Sequence, residues 1–276
     1  MSAPSTSIAG AGPARLESSM LPIAIFAATR WELQAVKRAL PTDRIATIAG
    51  VRCHVGQKGD QVYWLIQTGI GPASAGTVAQ RVLTTQAMSL VMSTGFACAL
   101  VPAQVGDLIL GTEVFSFDIE ETGTVKGDSL LCDEAVRSGC LMAAQEAGMA
   151  ARVGTVVSVP RVLWQAEGKR RLRRLTEAIG LDMESAAIAL VARAQGVPMA
   201  LVRTVSDLEN EDLPLDFNLF LGPTGWAKGL WSLVSRPSSL AELNRLRRQS
   251  RIAADRLTEW FQHYAEAGGG LRRELR

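Results

Sequence analysis

The sequence contains few of the residues that bind metals or form disulfide bridges. Only two histidines and four cysteines occur among 276 residues, and no CxxC pair is present. A zinc signature needs closely spaced pairs of such ligands, so none can be assembled here. The cysteines also lack the regular spacing of a disulfide framework. This pattern predicts buried free thiols and a cytoplasmic protein.

Long apolar runs and a strong net charge are absent as well. No stretch of about eighteen uncharged apolar residues occurs, so no transmembrane helix is predicted. Lysine and arginine together number 29 against 27 aspartate and glutamate residues, a formal charge of +2. Such a small charge does not indicate a nucleic-acid partner. Two basic runs, residues 169–174 and 245–251, are typical of solvated helix surfaces.

The first segment of the chain is rich in Ser, Ala, Gly and Pro. It has neither the basic start nor the apolar centre of a signal peptide. We expect residues 1–20 to form a disordered leader, with Met20 as the start of the folded part. At the other end, residues 267–276 are expected to form a flexible tail.

Between residues 21 and 205, short apolar strands alternate with helical patterns. Strands are predicted at residues 21–28, 51–55, 61–67, 89–93, 108–114, 152–158 and 198–205. Helices are predicted at residues 30–40, 73–85, 133–147 and 182–195, and a polar stretch at 118–128 interrupts the pattern. The alternation predicts one α/β domain over residues 21–222. We expect three α/β/α layers around a central mixed, mostly parallel twisted sheet.

Three carboxylates stand at the ends of predicted elements, where α/β sheets bind their ligands. Glu32 lies near the start of the first helix, Glu184 lies at a helix start made of small residues, and Asp207 follows a buried strand. Each also has a structural interpretation. Glu32 fits a solvated first-turn residue, Glu184 a partner of the helix dipole, and Asp207 an N-cap. Taken singly, the three residues leave both interpretations open.

Six motifs, three of which contain these residues, follow one another along the chain. They are AATRWEL at residues 27–33, TGIGPASA at 68–75, TGFA at 94–97, VGD at 105–107, MESAA at 183–187 and VRTVSD at 202–207. Over residues 21–220 the chain resembles the nucleoside phosphorylase superfamily. The resemblance is to the branch that contains methylthioadenosine/S-adenosylhomocysteine nucleosidase. The MESAA motif and the final Ser-Asp pair are the most specific features.

The resemblance implies an enzyme that cleaves the N-glycosidic bond of a purine nucleoside and releases the base. Asp207, oriented by Ser206, would protonate or hydrogen-bond N7 of the base. Glu184 would bind the ribose hydroxyls, and Glu32 stands where nucleosidases place the carboxylate that activates water. Carboxyl groups suit these tasks because they donate a proton when neutral and accept paired hydroxyl hydrogen bonds when charged.

The resemblance also assigns supporting roles. Met183 would pack against the sugar, and Arg203 would be structural or would support Glu184. The residues expected to surround the rest of the substrate are Val162, Leu163, Phe96, Ala97 and Phe217. A homo-oligomer is also implied, with a neighbouring subunit that completes the site.

Two segments depart from the family pattern. Phe96 stands where the nucleosidases carry a small residue, and we expect it to reshape the site near the sugar or the nucleophile. The run Ser-Val-Pro-Arg at residues 158–161 replaces the usual Ser-Gly-Asp, so purine specificity is expected to rest mainly on Asp207. These departures favour a second hypothesis, a nucleoside-binding protein without catalysis. Retention of the three carboxylates argues against that hypothesis.

The nucleophile is either water or inorganic phosphate. Arg30 and Arg161 are candidates for binding phosphate as a co-substrate, because a guanidinium group matches phosphate oxygens in pairs. The alternative is that both are surface arginines. Glu32 in the water-activating position favours hydrolysis. We expect no metal and no organic cofactor.

The segment after residue 222 is rich in tryptophan and arginine. Trp226 and Trp231 belong to an apolar, helix-like stretch, and residues 240–263 predict an amphipathic, Arg-rich helix. We therefore expect residues 223–266 to form a helical extension. It would pack on the domain or on a partner subunit, or it would meet an apolar substrate or a membrane surface.

This tail resembles the hopanoid-associated phosphorylase subgroup, through Leu-Pro-Leu-Asp-Phe-Asn before it and Ser-Arg-Pro within it. For that subgroup the resemblance implies removal of adenine from adenosylhopane, a nucleoside joined to a triterpenoid. Contact with the inner face of the membrane would follow. The soluble alternatives are methylthioadenosine, S-adenosylhomocysteine and futalosine.

Overall fold

A computed structural model describes residues 21–120, 123–213 and 239–267. The proposed leader, Phe217, Trp226, Trp231 and all but the first residue of the proposed tail lie outside the described residues. Within the described ranges, no helix combines the length and apolar character needed to cross a membrane.

The elements follow the predicted alternation of strands and helices. The strands are β1 Ile23–Ala27, β2 Arg44–Ile48, β3 Val51–Lys58, β4 Gln61–Gln67, β5 Leu90–Ala99, β6 Leu108–Glu120, β7 Gly123–Lys126, β8 Leu130–Leu131, β9 Ala151–Ser158, β10 Gly180–Asp182 and β11 Met199–Asp207. The helices are α1 Arg30–Ala39, α2 Pro72–Leu83, α3 Glu134–Glu146, α4 Ala166–Thr176, α5 Ser185–Ala194 and α6 Ser239–Glu266.

The strands form one 11-stranded sheet, in which nine strands follow the order β10-β9-β6-β11-β5-β1-β4-β3-β2, and β7 and β8 each pair with β6 beside this path. The predicted mixed α/β sheet is confirmed. Strands β4, β1, β5 and β11 run parallel to one another, so the expectation of mostly parallel pairing holds for this centre. Elsewhere many pairs are antiparallel, including β2–β3, β3–β4 and β6–β11. Strand β10 also pairs with β5, which closes five strands into a ring.

Helices cover both faces of the sheet, because the strands alternate their apolar residues between two cores. On β1, Ile23 and Ile25 face a core shared with α1, α3 and α6, whereas Ala24 and Phe26 face a core shared with α2 and α5. Alternation with a period of two on a strand that is buried on both sides is the expected pattern for such a sheet.

Helix α6 is an integral part of the first core. Trp260 is fully buried, stacks on Tyr264 with ring centroids 4.9 Å apart, and donates a hydrogen bond from Nε1 to the carbonyl of Cys140 at 3.1 Å. The hydroxyl of Thr258 donates to the carbonyl of Ala35 in α1 at 2.9 Å. The apolar face of this predicted amphipathic helix therefore lies against α1 and α3.

Some local predictions were wrong. Strand β2 was missed, although Ile45, Ala46 and Ile48 are apolar; it is a largely exposed edge strand. The polar stretch at residues 118–128 does not interrupt the sheet, since β6 continues to Glu120 and pairs with β7. Helix α5 begins at Ser185, not at Asp182, which belongs to β10. The basic run 169–174 is mostly exposed, as predicted, but Lys169 is fully buried.

We predict that Trp260→Ala lowers the free energy of unfolding by about 3–5 kcal/mol, the usual cost of deleting a fully buried tryptophan side chain. Urea unfolding followed by circular dichroism measures the change. Gln262→Ala, at an exposed position of the same helix, is the matched control and should be close to the unsubstituted protein. Equal stability of the two variants would mean that α6 does not belong to the core.

Candidate active site

The predicted site residues gather around the carboxyl-terminal half of β5. Strands β1, β4 and β11 run parallel to this part of the sheet, so the loops that follow them open on the same edge. Glu32 comes after β1, Gly71 after β4, and Asp207 ends β11. The topology thus brings together carboxylates that lie far apart in sequence.

Glu32 is buried at the first turn of α1 and anchored to the end of β5. Its Oε2 accepts hydrogen bonds from the backbone N–H of Thr29 at 2.7 Å and from the Thr29 hydroxyl at 2.9 Å. Its Oε1 accepts from the backbone N–H of Phe96 at 2.8 Å. Two acceptor positions per oxygen are usual for a carboxylate. One position on Oε1 therefore remains for a water molecule or a ligand.

Gly95 permits this approach of α1 to β5. Its φ is +136°, in the region that favours glycine. A Cβ atom at this position would lie 2.3 Å from Glu32 Oε1 and 2.7 Å from Arg203 Nη1. The position accepts no side chain without displacing both charged groups.

Arg203 lies fully buried at the centre of the cluster. Its Nε donates to Asp182 Oδ2 at 3.0 Å, and its Nη2 donates to the hydroxyls of Ser93 at 3.0 Å and Ser185 at 2.8 Å. Its Nη1 donates to the carbonyl of Thr94. Burial lowers the pKa of Arg203, but the charges of three neighbouring carboxylates raise it above its ordinary value. These carboxylates are Asp182, Glu184 and Glu32.

Asp182 completes the support of Arg203 and of the helix start. Its Oδ1 accepts from the Ser158 hydroxyl at 2.5 Å and from the Ser185 backbone N–H at 3.2 Å. The Ser158 hydroxyl in turn accepts from the Ala186 backbone N–H at 2.9 Å. A buried charge pair of this kind is tolerated because further hydrogen bonds satisfy its oxygens.

Glu184 stands directly before α5 and reaches the loop that precedes α2. Its Oε1 accepts from the backbone N–H of Gly71 at 2.7 Å, and among the described residues no donor reaches Oε2. Burial and the charge of Asp182 raise the pKa of Glu184 to about 7, although Arg203 and the Gly71 N–H act in the opposite direction. Near neutral pH this carboxyl group therefore exchanges readily between its neutral and charged forms.

Asp207 lies at the end of β11, four residues after Arg203, and is paired with a buried lysine. Lys169 Nζ donates to Asp207 Oδ2 at 2.9 Å, and the Ser206 hydroxyl donates to Oδ1 at 3.0 Å. Burial lowers the pKa of Lys169, but the negative charge of Asp207 outweighs this effect and raises the pKa above its ordinary value. The ammonium group therefore stays charged.

Cys98 is the strand neighbour of Asp207 in the β5–β11 pair. Burial, followed by the charge of Asp207, raises the pKa of the Cys98 thiol well above its ordinary value. The thiol is therefore neutral, and it donates to the carbonyl of Ala99 at 3.3 Å. It is not a candidate nucleophile, because only a thiolate is strongly nucleophilic.

Several predicted substrate contacts lie around the same strand ends. Ala97 is buried, and its carbonyl accepts from the Ser206 hydroxyl at 3.4 Å. The ring of Phe96 packs against the core that contains α1 and α6. Met183 is half-buried directly before Glu184.

The remaining predicted residues have separate surroundings. Val162 is half-buried, and Leu163 packs against the cluster of buried residues that contains Cys98. Arg161 is exposed and pairs with Asp118 at 3.2 Å. Arg30 is exposed at the start of α1. The two candidate phosphate-binding arginines thus stand on different elements with different neighbours.

Glu32, Glu184 and Asp207 line neither of two surface grooves. One, of about 470 Å³, lies between α1 and α6 and contains Arg30 and Trp31. The other, of about 590 Å³, contains Arg170 of α4 and Glu209. In the described part of the chain, no group of three or more His, Cys, Asp or Glu side chains could hold a metal ion.

Sequence reasoning missed two charged members of the site, Asp182 and Lys169. Asp182 was placed inside a helix, and Lys169 was assigned to a solvated basic run. An aspartate two residues before Glu184 and directly after an apolar pair was the available signal for the first. No local signal distinguishes Lys169 from its arginine neighbours.

Comparisons with known proteins point to one family. The sequence model of the phosphorylase superfamily matches residues 22–222. A 5'-methylthioadenosine/S-adenosylhomocysteine nucleosidase of Haemophilus ducreyi is 29% identical over 211 residues, which cover 73% of this chain and 91% of that protein. The nucleosidase of Staphylococcus aureus is 26% identical over 209 residues, which cover 72% and 92%. These matches confirm the predicted resemblance to this superfamily and branch.

Solved structures show the same fold. The 5'-methylthioadenosine/S-adenosylhomocysteine nucleosidase of Helicobacter pylori matches with a TM-score of 0.67 at 19% identity, covering 87% of this chain and 97% of that chain. Futalosine hydrolase of the same organism matches with a TM-score of 0.66 at 21% identity, covering 79% and 99%. The predicted nucleoside phosphorylase-like fold is thereby confirmed.

We predict that Glu184 makes the stability of the protein pH-dependent. Between its ordinary value of 4.5 and its raised value of about 7, the unfolded chain loses the Glu184 proton while the folded chain keeps it. Stability therefore falls as the pH rises through this window, by up to about 1.4 kcal/mol per pH unit. Glu184→Gln should remove this part of the slope in urea unfolding measured from pH 4.5 to 8.

Glu134→Gln, at an exposed position of α3, is the control for that measurement and should keep the full slope. If Glu184→Gln and Glu134→Gln give the same pH dependence, Glu184 is not a raised, buried carboxyl group.

Proposed function

Because the chain belongs to the phosphorylase superfamily, we propose that it cleaves the N-glycosidic bond of an adenine nucleoside and releases the free base. One observation carries this proposal. Three carboxylates lie around the end of β5. Among the described residues, Glu184 has an oxygen without a donor, Glu32 has one acceptor position left, and Asp207 is paired with a lysine. Breaking this bond requires help at the base, at the sugar and at the nucleophile.

Each carboxylate has a proposed task. Asp207, oriented by Ser206, protonates or hydrogen-bonds N7 of the leaving base. Glu184 accepts hydrogen bonds from the ribose hydroxyls through Oε2, while the Gly71 N–H fixes its other oxygen. The oxocarbenium-like sugar of the transition state is then held by a charged group.

We propose water as the nucleophile. The free acceptor position on Glu32 Oε1 supports this choice, because a buried carboxylate with one open position can take a proton from a bound water. Phosphorolysis is the alternative, with Arg30 and Arg161 as the proposed phosphate ligands. The pairing of Arg161 with Asp118 favours hydrolysis.

Supporting contacts complete the proposed site. Met183 and Phe217 would pack against the substrate, Phe96 and Ala97 would shape the sugar side, and Val162 and Leu163 the base side. Arg203 would hold the three-carboxylate arrangement through Asp182. Residues 21–222 would form the catalytic domain and residues 223–266 a helical extension of it. We also propose a homo-oligomer in the cytoplasm, where four buried free thiols would stay reduced.

We predict that Asp207→Asn lowers base release by about 10²–10⁴-fold, the usual contribution of a general acid, while the protein remains folded by circular dichroism. Release of adenine from adenosine or methylthioadenosine is followed by chromatography. Asp128→Asn, an exposed partner of Arg193, is the matched control. Turnover of Asp207→Asn at the level of this control would contradict the assignment.

The same assay, run with and without phosphate, separates the reaction types. Hydrolysis gives the free ribosyl product in both cases, whereas phosphorolysis gives its 1-phosphate and stops without phosphate. Tight adenosine binding with no base release under either condition would identify a nucleoside-binding protein instead.

For the substrate, we propose an adenine nucleoside whose 5′ end carries a large hydrocarbon, namely adenosylhopane. The tail resemblance supports this choice, and so does the groove between α1 and α6. Trp31 in this groove is 53% exposed, one residue before Glu32. The arginines that line the groove are Arg30, Arg38, Arg247 and Arg251. An exposed tryptophan among arginines suits the surface of an anionic membrane.

We predict higher kcat/KM on adenosylhopane in phosphatidylglycerol vesicles than on soluble methylthioadenosine, S-adenosylhomocysteine or futalosine. Trp31→Ala should lower only the vesicle rate, by about tenfold or more, since burying a large apolar side chain contributes about 1.5–3 kcal/mol. Ile45→Ala, an exposed apolar residue on β2, serves as control. Equal or better rates on methylthioadenosine would count against the lipid substrate, and an equal effect of Trp31→Ala on both substrates would count against membrane contact.

A further inference from the structure

The buried lysine beside Asp207 has no part in the reaction described so far. The Lys169 side chain is completely buried, whereas the side chain of Asp207 is 14% exposed. A buried ammonium group is costly, and it is retained only where its hydrogen bonds are satisfied. The position of Lys169 beside Asp207, the carboxylate proposed to face the base, therefore requires a chemical explanation.

All three N–H donors of the Lys169 ammonium are engaged. They reach Asp207 Oδ2 at 2.9 Å, the carbonyl of Leu208 at 3.1 Å and the carbonyl of Glu211 at 3.0 Å. An ammonium group has three donors, so none is left for a substrate. Lys169 therefore acts on the reaction indirectly, with Asp207 as its charged partner.

The charged and polar groups around Asp207 come from α4, β5, its own strand and the segment that follows it. Helix α4 contributes the ammonium of Lys169, and β5 contributes the thiol of Cys98, which is neutral. From its own strand, the Ser206 hydroxyl donates to Oδ1. The segment that follows contributes the carbonyls of Leu208 and Glu211, which the lysine binds. Within the described part of the chain, Lys169 is the cation that pairs with Asp207.

We propose that Lys169 is a positioning residue for base release, fixing Asp207 Oδ2 and controlling when the carboxyl group carries a proton. This inference rests on the proposed function. Before each turnover Asp207 takes one proton from solvent, against the opposition of the lysine charge. As the C–N bond breaks, that proton passes to N7 of the base. The carboxylate that remains is again paired with Lys169.

The attacking water balances this proton. It gives its own proton to Glu32, which returns it to solvent, so the enzyme ends the cycle in its starting state. Lys169 thus stabilises the carboxylate of Asp207 that remains after proton transfer, and it keeps this side chain oriented toward the base.

The test is the pH profile of kcat/KM for adenine release. Removing an opposite charge beside a carboxylate favours its neutral form. In Lys169→Met the alkaline limb of the profile should therefore move to higher pH. Lys169→Arg, which keeps the charge, should retain the original limb. Arg171→Met removes an exposed charge from the same helix and should behave as the unsubstituted protein.

The outcomes are distinguishable. If the unsubstituted protein releases no base, the proposed function fails. If it releases base and Lys169→Met leaves the limb in place, only the role of Lys169 fails. A merely structural lysine would lower the amount of active protein without moving the limb.

A double variant covers the case in which Lys169→Met does not fold. K169M/D207N leaves neither charge unpaired, and it is compared with D207N alone. Because Lys169 acts through Asp207, the two should show the same residual turnover and the same pH profile. A further loss of about tenfold or more in the double variant, measured per folded molecule, would overturn the proposal.

Discussion

The buried guanidinium of Arg203 is the interaction on which the arrangement of the site depends. It is bonded to Asp182 and to the hydroxyls of Ser93 and Ser185, and its charge lies close to Glu184 and Glu32. A cation at this point allows three carboxylates to occupy one buried region. Without it, mutual repulsion and desolvation would force protons onto them or push them apart.

A second cation stands near the end of the same strand. The Arg203 cluster contains Glu184, whose pKa is raised to about 7. Asp207, four residues after Arg203 on β11, is paired instead with Lys169 of α4. The proposed sugar-binding and base-binding carboxylates therefore each have a cationic partner of their own.

The sequence alone predicted those features of the fold that depend on local residue patterns. Apolar runs located most strands, the helix-start patterns located α1 and α5 to within a few residues, and short motifs identified Glu32 and Glu184. The residues it misjudged depend on tertiary contacts. Lys169 looks like its exposed arginine neighbours until α4 is packed, and Asp182 looks helical until β10 pairs with β9. Edge strand β2 was overlooked although Ile45, Ala46 and Ile48 are apolar.

The left-handed backbone of Gly95 has a practical consequence for altering the substrate range. An added methyl group there would collide with both Glu32 and Arg203, so no larger residue fits at this position. The next residue differs, because Phe96 contributes its backbone N–H to Glu32 while its half-buried side chain packs against the core. Libraries that aim at new nucleosides should therefore leave 95 constant and diversify 96.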